Sequence, residues 1–427
     1  MLPKKIKQKL CNRNLQKLSR VPIEYGIFLL HFISMNAYTC IFGGGAIRGA
    51  TYVGVVKALK ELNIDISAYV GSSVGAIFAS LCSIGYDSSE FQKIMYDFNA
   101  FMFKDINFSI GQDFSISKGE IFENWIRECI EKKFYGDCYK KGENPPVTFA
   151  DIDMELSILA TDLATNSRFV FSKKTTPDFE VARAVRISSS FPGLIKPAEI
   201  DGMYLVDGDL AKSIPLWKEL ELDRDNRILE FRLEGNCMNL KSVIDYINSV
   251  YSSMSYFCSE NIIQTYNSKD MFDYVMIDTK DVLLFDFQIT NDQKDWLAKV
   301  GYETTMSYFK NNLLQKKKRL LPLYQGMLNS LIALKNLLKS SKVAEIKSLV
   351  FDYLCNLSDD YLDMDAILLN DAKKFKSLLF KDMKTARFLP VSRIENKTEH
   401  VKALQGLIEK FEFKVCEMDT YIKEFSK

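Results

Sequence analysis

The sequence predicts an α/β fold with a mainly parallel central sheet, followed by a helical C-terminal extension. Three observations carry that expectation. Short β-branched or aromatic runs end in glycine or small residues and give way to apolar residues at helical spacing, twice within the first 85 residues. Further runs of strand character recur as far as Asp278. Beyond about residue 313 glycine almost disappears, and leucine- and lysine-rich amphipathic segments such as Leu331 to Leu349 take over.

In chain order, Tyr38 to Phe42 reads as a buried strand that ends in glycines. Thr51 to Leu62 follows as a helix, with Val55, Val56, Leu59 and Leu62 on one face. Ser67 to Val70 is a second strand, and Val74 to Ile84 a helix of small residues. Residues 88–135 read as helices interrupted by an aromatic loop at Phe101, Phe103 and Phe108, either a lid or lipid contact or a piece of core. Leu156 to Thr161 and Arg168 to Ser172 form a hairpin, and Met203 to Val206, Ile228 to Leu233 and Tyr274 to Asp278 are further strands. The organisation expected is a basic and apolar extension over 1–36, an α/β domain over 37–312 and a helical region over 313–427.

Composition narrows the class. With 47% hydrophobic and 12% aromatic residues, the chain has enough apolar surface for a sizeable core, which argues against wholesale disorder. The nine cysteines are scattered without metal-ligand spacing and there are two histidines, so a zinc site is not expected and the thiols read as reduced. Net charge is +1, but residues 1–35 carry +6, residues 313–427 carry +6 and the middle −11. Basic ends around an acidic centre suit an anionic membrane surface, or are simply solvated faces. No run of about 20 apolar residues indicates a spanning helix. Lys4 to Arg20 followed by the apolar Tyr25 to Met35 mimics a signal peptide loosely, but the patch is short, holds His31 and lacks a small-residue cleavage site. A peripheral amphipathic arm, or an extension upstream of Met35, is the preferred reading.

Chemistry concentrates in three places. Gly71-Ser72-Ser73-Val74-Gly75 is a GxSxG pattern between a predicted strand and a predicted helix, where a serine hydroxyl stands exposed at a tight turn. Its bland reading is a small-residue helix start packed on a sheet. Such a serine usually needs a histidine base, yet the two histidines, His31 and His400, lie in the leader and near the C-terminal end. The glycine turn Gly43 to Gly49 follows the first strand; a Rossmann site lacks its acidic residue here and a Walker site its Gly-Lys-Ser/Thr, leaving an oxyanion hole of backbone N–H groups as the alternative. Asp207, in Leu205-Val206-Asp207-Gly208-Asp209, is a candidate base or, more plainly, an Asp-Gly turn.

Taken together, four ordered blocks resemble the patatin-like phospholipase family: GGGAIRGATYVGVVKAL (43–59), GSSVGAIFA (71–79), ARAVRISSSFPGLIKPAEIDG (182–202) and YLVDGDLAKSIPL (204–216). A weaker echo extends the resemblance over about 37–312. The resemblance implies a three-layer α/β/α fold and a Ser–Asp dyad, which the scarcity of histidine matches. It implies Ser73 as nucleophile, Asp207 as base, the amides around Gly44, Gly45 and Ala46 as oxyanion hole, and Arg48 as an anion-stabilising charge. Gly71, Gly75, Gly49 and Gly208 are the structural glycines of these motifs. The activity implied is hydrolysis of a phospholipid or lysophospholipid acyl ester through an acyl-serine, with no metal or cofactor.

Two positions depart from the family pattern. Ala46 stands where glycine is common and is strained if the backbone there needs a positive φ. Asp209 ends a motif that otherwise reads Asp-Gly-Gly or Asp-Gly-Ala; a second carboxylate there either raises the pKa of Asp207 or points to solvent. The Ser188-Ser189-Ser190-Phe191-Pro192 stretch reads as a helix end stopped by proline. The location implied is cytoplasmic and peripheral to membranes, or the cytosol of another cell if the protein is a delivered effector, and a protein activator is a further expectation. Two alternatives remain: a silent patatin-like scaffold that binds lipid or protein through its tail, and a histidine-dependent esterase using His400.

Overall fold

The computed structural model describes residues 37–99, 105, 115–210, 227–235, 246, 249–253, 266, 268–340, 363–385 and 397–426. The extension 1–36, Phe101, Phe103 and Phe108, and the far end of the Leu331 to Leu349 segment lie outside these residues.

The sheet begins with β1 (Tyr38–Phe42) and continues through β2 (Ile66–Gly71), β4 (Glu155–Asp162), β5 (Ser167–Ser172), β7 (Ala198–Ile200), β8 (Met203–Asp207), β9 (Arg227–Glu234) and β10 (Phe272–Asp278). These eight strands pair in the path β10-β9-β1-β2-β4-β8-β7, with β5 also on β4. The pairs from β10 to β4 are parallel, and β5, β7 and β8 add antiparallel pairs. The expected mainly parallel α/β sheet is present. β3 (Ser115–Ser117) and β6 (Gly193–Ile195) form a separate two-stranded pair. Such three-residue strands are too short to show an alternating pattern, so periodicity does not reveal them.

Apolar side chains are buried on both faces of the sheet. On one face Tyr38, Cys40 and Phe42 join a large core with α1 (Thr51–Glu61), α2 (Val74–Ser83), α4 (Glu120–Tyr135), α5 (Val181–Ser188) and α6 (Asn291–Ser307). On the other, Ile41, Val70, Leu159, Ile228, Phe272 and Tyr274 form a smaller buried cluster. Helix starts follow their capping chemistry: Asp87 and Glu90 make a reciprocal capping box at α3 (Ser88–Asp97), as do Thr290 and Gln293 at α6.

One detail of pairing positions the site. β5 occupies one edge of β4 from Ser157 to Asp162. The partners that overlap it must lie on the opposite edge: β2, through Gly71 beside Ile158, and β8, through Asp207 beside Ala160. β2 and β8 therefore share one edge of β4 and run toward each other. Their C-terminal ends, Gly71 and Asp207, are separated by the span of Leu159 alone. Gly208 is held against this ladder, because a methyl group on it would strike the carbonyl oxygen of Leu159.

After α6 the chain passes through a π-helical turn, Tyr308–Asn312, into α7 (Leu313–Ser340) without a linker. α7, α8 (Ala366–Thr385) and α9 (Lys397–Phe425) enclose a second apolar cluster that includes Tyr324, Leu331, Phe375, Leu404 and Phe411. Among the described residues no helix is long and apolar enough to cross a membrane.

Candidate active site

Ser73 sits between β2 and α2 with φ 53° and ψ −127°, a conformation that L-residues rarely hold without tertiary support. That support is packing between backbones. A methyl on Gly75 would strike the carbonyl oxygen of Phe42, and one on Gly71 the carbonyl oxygen of Gly75. A methyl on Gly49 would collide with Val74. These three glycines are thus required for contact rather than for φ. Ser73 is the N-cap of α2, so the positive end of the helix dipole lies at its amide. Its N–H donates to the hydroxyl of Ser188 at 3.0 Å.

Asp207 ends β8 and is 1% exposed. Its N–H donates to the Ser190 carbonyl at 3.0 Å, and Thr161 Oγ1 donates to its carbonyl at 2.9 Å. Its Oδ1 accepts the backbone N–H of Asp209 at 2.8 Å. The run at 188–190, read from sequence as a helix end, is indeed the end of α5, but it also grips both Ser73 and Asp207. No local pattern signals that second role.

Ser73 and Asp207 line one pocket, together with Gly45, Ala46, Ser189 and a wall of apolar residues that includes Phe98, Phe122, Phe191, Phe285 and Phe287. The Ser189 hydroxyl is buried and has no partner among the described residues. The glycine turn forms the other side. The N–H of Gly43 donates to Phe231, that of Ile47 to Leu284 and that of Arg48 to Gly45. Between them, the amides of Gly44, Gly45 and Ala46 meet no acceptor among the described residues. Ala46 has φ 47°, the left-handed region in which an alanine is strained.

Arg48 is buried and does not belong to the described lining of the pocket. Its Nε donates to the Val282 carbonyl at 2.6 Å, and its guanidinium packs against Gly235. His400 is also buried, with its ring against Phe375 on α8, inside the C-terminal helical layer. It does not line the pocket that holds Ser73.

With this geometry in place, the comparison with known families finds a likeness: residues 40–218 match a family model described as patatin-like phospholipase. That stretch is similar to the patatin-like phospholipases. The chain is 28% identical over 283 residues to the uncharacterized protein R571 of Acanthamoeba polyphaga mimivirus, a match covering 61% of this chain and 90% of that one. It is 24% identical over 182 residues to the probable lipid hydrolase 463L of Invertebrate iridescent virus 6, covering 42% and 61%. Among solved structures, VipD from Legionella pneumophila aligns with a TM-score of 0.48 at 15% identity, covering 88% of this chain and 91% of that one.

Within the matched stretch, Asp209 is neither a solvent-facing carboxylate nor an uncompensated neighbour of Asp207. It is 2% exposed. Oδ1 accepts from Arg232 Nη1 at 2.6 Å and from Ser72 Oγ at 3.0 Å, and Oδ2 accepts from the Tyr251 hydroxyl at 2.6 Å. Arg232 also donates through Nε to Glu230 at 2.6 Å. Burial works against the charge on Arg232, but Glu230 and Asp209 outweigh it and hold the guanidinium charged. Neither Arg232 nor Tyr251 stands out in the sequence, since each reaches the patatin-like motifs only through tertiary folding.

Proposed function

We propose that this protein is a lipid acyl hydrolase of the phospholipase A or lysophospholipase type, with Ser73 as nucleophile and Asp207 as its base. The observation that carries the reading is that Ser73, Asp207 and the glycine turn meet in one pocket whose remaining wall is apolar and aromatic. The patatin-like phospholipase match and the lipid-hydrolase name of a relative support the same substrate class.

In this reading the acyl chain lies against Phe98, Phe122, Phe191, Phe285 and Phe287, while the ester reaches Ser73. Ser73 Oγ attacks the carbonyl carbon as its proton passes to Asp207. In this reading the oxyanion forms beside the amides of Gly44, Gly45 and Ala46, which meet no acceptor among the described residues; fixed donors suit that role in a water-poor site. Collapse expels the alcohol, which takes the proton from Asp207. Water, deprotonated by the same carboxylate, then attacks the acyl-serine; Asp207 returns that proton to the departing Ser73 Oγ as the fatty acid is freed. Arg48 acts from behind the turn, adding positive charge and tying the turn to the Val282 segment. The Ser189 hydroxyl offers a hydrogen bond to a polar group near the ester. The lipid substrate places the reaction at a membrane surface, with residues 37–312 as the hydrolase unit.

The test is direct. A fluorophosphonate probe should label wild-type protein at Ser73, and phospholipid vesicles should release fatty acid. Ser73→Ala should abolish labelling, and Asp207→Asn should lower hydrolysis by about 10,000-fold, the scale seen when a serine hydrolase loses its acidic partner. Unchanged turnover in either folded variant rules out the dyad.

A further inference from the structure

Beyond the pair itself, we propose that Asp209 is a positioning residue for the hydrolysis, a carboxylate that joins the serine elbow, the base, the glycine turn and the pocket wall. This rests on the Ser73–Asp207 reading above.

Four contacts carry the inference. The backbone N–H of Asp209 donates to Asp207 Oδ1 at 2.8 Å, so any shift of residue 209 turns the carboxylate of the base. Ser72, which donates to Asp209 Oδ1, is the residue immediately before the nucleophile. Gly44 lies flat against the Asp209 side chain, with a position for a methyl group only 2.8 Å from its carboxyl carbon. The glycine turn therefore packs directly on this carboxylate. Tyr251 donates to Oδ2, packs edge-on against Phe191 with ring centres 5.2 Å apart, and lines the pocket. All of Asp209 is buried, so the arrangement is held by protein groups rather than by mobile water.

The charge logic is as specific as the geometry. A bare carboxylate beside the glycine turn opposes a developing oxyanion and raises the pKa of a neighbouring acid. Arg232, which packs against Gly43 of the same turn, cancels it, and Glu230 in turn holds Arg232. Among the described residues, the groups that face Asp207 include Asp209, Tyr251 and, through Asp209, Arg232 with Glu230. Removing the charge of Asp209 leaves Arg232 to favour the ionised base; removing Arg232 leaves Asp209 to oppose it. The two changes move the pKa of the base in opposite directions.

The experiment uses the full chain, a short-chain p-nitrophenyl ester and a fluorophosphonate probe, with fold checked by circular dichroism. Asp209→Asn should lower kcat by about 10- to 100-fold, the cost of small misplacement of a catalytic group, with KM changed by less than about twofold. Probe labelling of Ser73 should slow by the same factor. The acid limb of the kcat/KM profile should move to lower pH in Asp209→Asn and to higher pH in Arg232→Gln. Tyr251→Phe, which keeps the ring and removes one donor, should give a smaller loss of kcat and serves if Asp209→Asn does not fold. Wild-type kcat in Tyr251→Phe and Asp209→Asn, or acid limbs that do not separate, overturns the proposal while labelling of wild-type Ser73 upholds the dyad. If wild-type Ser73 is not labelled, both readings fall together.

Discussion

Ala46 holds a left-handed backbone at φ 47°, where a side chain costs about 1–2 kcal/mol. Glycine there relieves that strain but loses about 0.4–1 kcal/mol through its freer unfolded chain. Ala46→Gly should therefore leave stability unchanged or raise it by up to about 1.5 kcal/mol, read from urea unfolding. A loss of stability above about 1 kcal/mol means that the alanine methyl is needed for packing instead. At this scale the sequence was informative wherever the chemistry lay in consecutive residues. Ser73 and Asp207 were legible from their flanking glycines, and the structure brings them into one pocket. Arg232 and Tyr251 were not. Arg232 lies two residues from Glu230 on β9, a pattern that reads as a solvated strand face, yet both are buried because Arg232 pairs with Glu230 and Asp209.

The elements that open β9 and β10 contain a second set of buried charges, at the end of the sheet where those strands begin. Arg227 reaches Asp273 at 3.1 Å and Asp270 at 3.5 Å. From α7, Lys316 meets Asp273 and Lys317 meets Glu417; from α9, Lys414 meets Asp270 and Glu417. The Tyr38 and Tyr308 hydroxyls donate to Asp273, and that of Tyr324 to Asp270. Burial pushes the Asp273 carboxyl up, but Lys316, Arg227 and the two hydroxyls outweigh it and hold it at about 2. Burial likewise raises Glu417, and Lys414, Lys317 and Arg227 bring it down to about 2. Both values lie below the unfolded ones, about 3.9 and 4.3, so this stabilisation is full above the unfolded values and is lost as pH falls through the folded ones. Hydrogen exchange along α7 and α9 should be level from pH 7 to about 5 and quicken, after correction for intrinsic rates, between about pH 4 and 2. Protection that holds to the bottom of that range would mean the charges do not anchor these helices. In the sequence, the +6 charge of residues 313–427 suited an anionic membrane surface or a solvated face. Lys316, Lys317 and Arg319 instead pair with Asp273, Glu417 and Asp363, partners 43 to 100 residues away in the chain.

At the scale of the molecule, this ion network joins two apolar cores. Tyr421 of α9 packs against the core around the sheet and donates to the Phe309 carbonyl at 2.5 Å. The composition shift near residue 313 was plain in the sequence, but the chain crosses it in continuous helix. Glycine and leucine content reports a change of packing partner; it does not report whether a linker intervenes. Ending the chain at Asn312 would strip Asp270 and Asp273 of Lys316, Lys414 and Tyr324. Orphaning one partner of a buried ion pair costs about 3–5 kcal/mol, a large share of the stability of a domain. The fragment 1–312 should therefore aggregate or melt well below the full chain in a thermal scan. A soluble fragment with the full-length melting temperature would show that the sheet needs no such cover.

The shared edge of β4 also makes that strand a ruler. Gly71 is registered against Ile158 and Asp207 against Ala160, so a single residue, Leu159, spaces the turn that carries Ser73 from the carboxylate. Each residue of strand measures about 3.3 Å, and successive residues face opposite sides of the sheet. An insertion at Leu159 would add that length between the two groups and turn one of them to the wrong face. Insertion of two would restore the faces at roughly double the added gap. The reach between serine and carboxylate is thus written in the length of a strand that contributes neither.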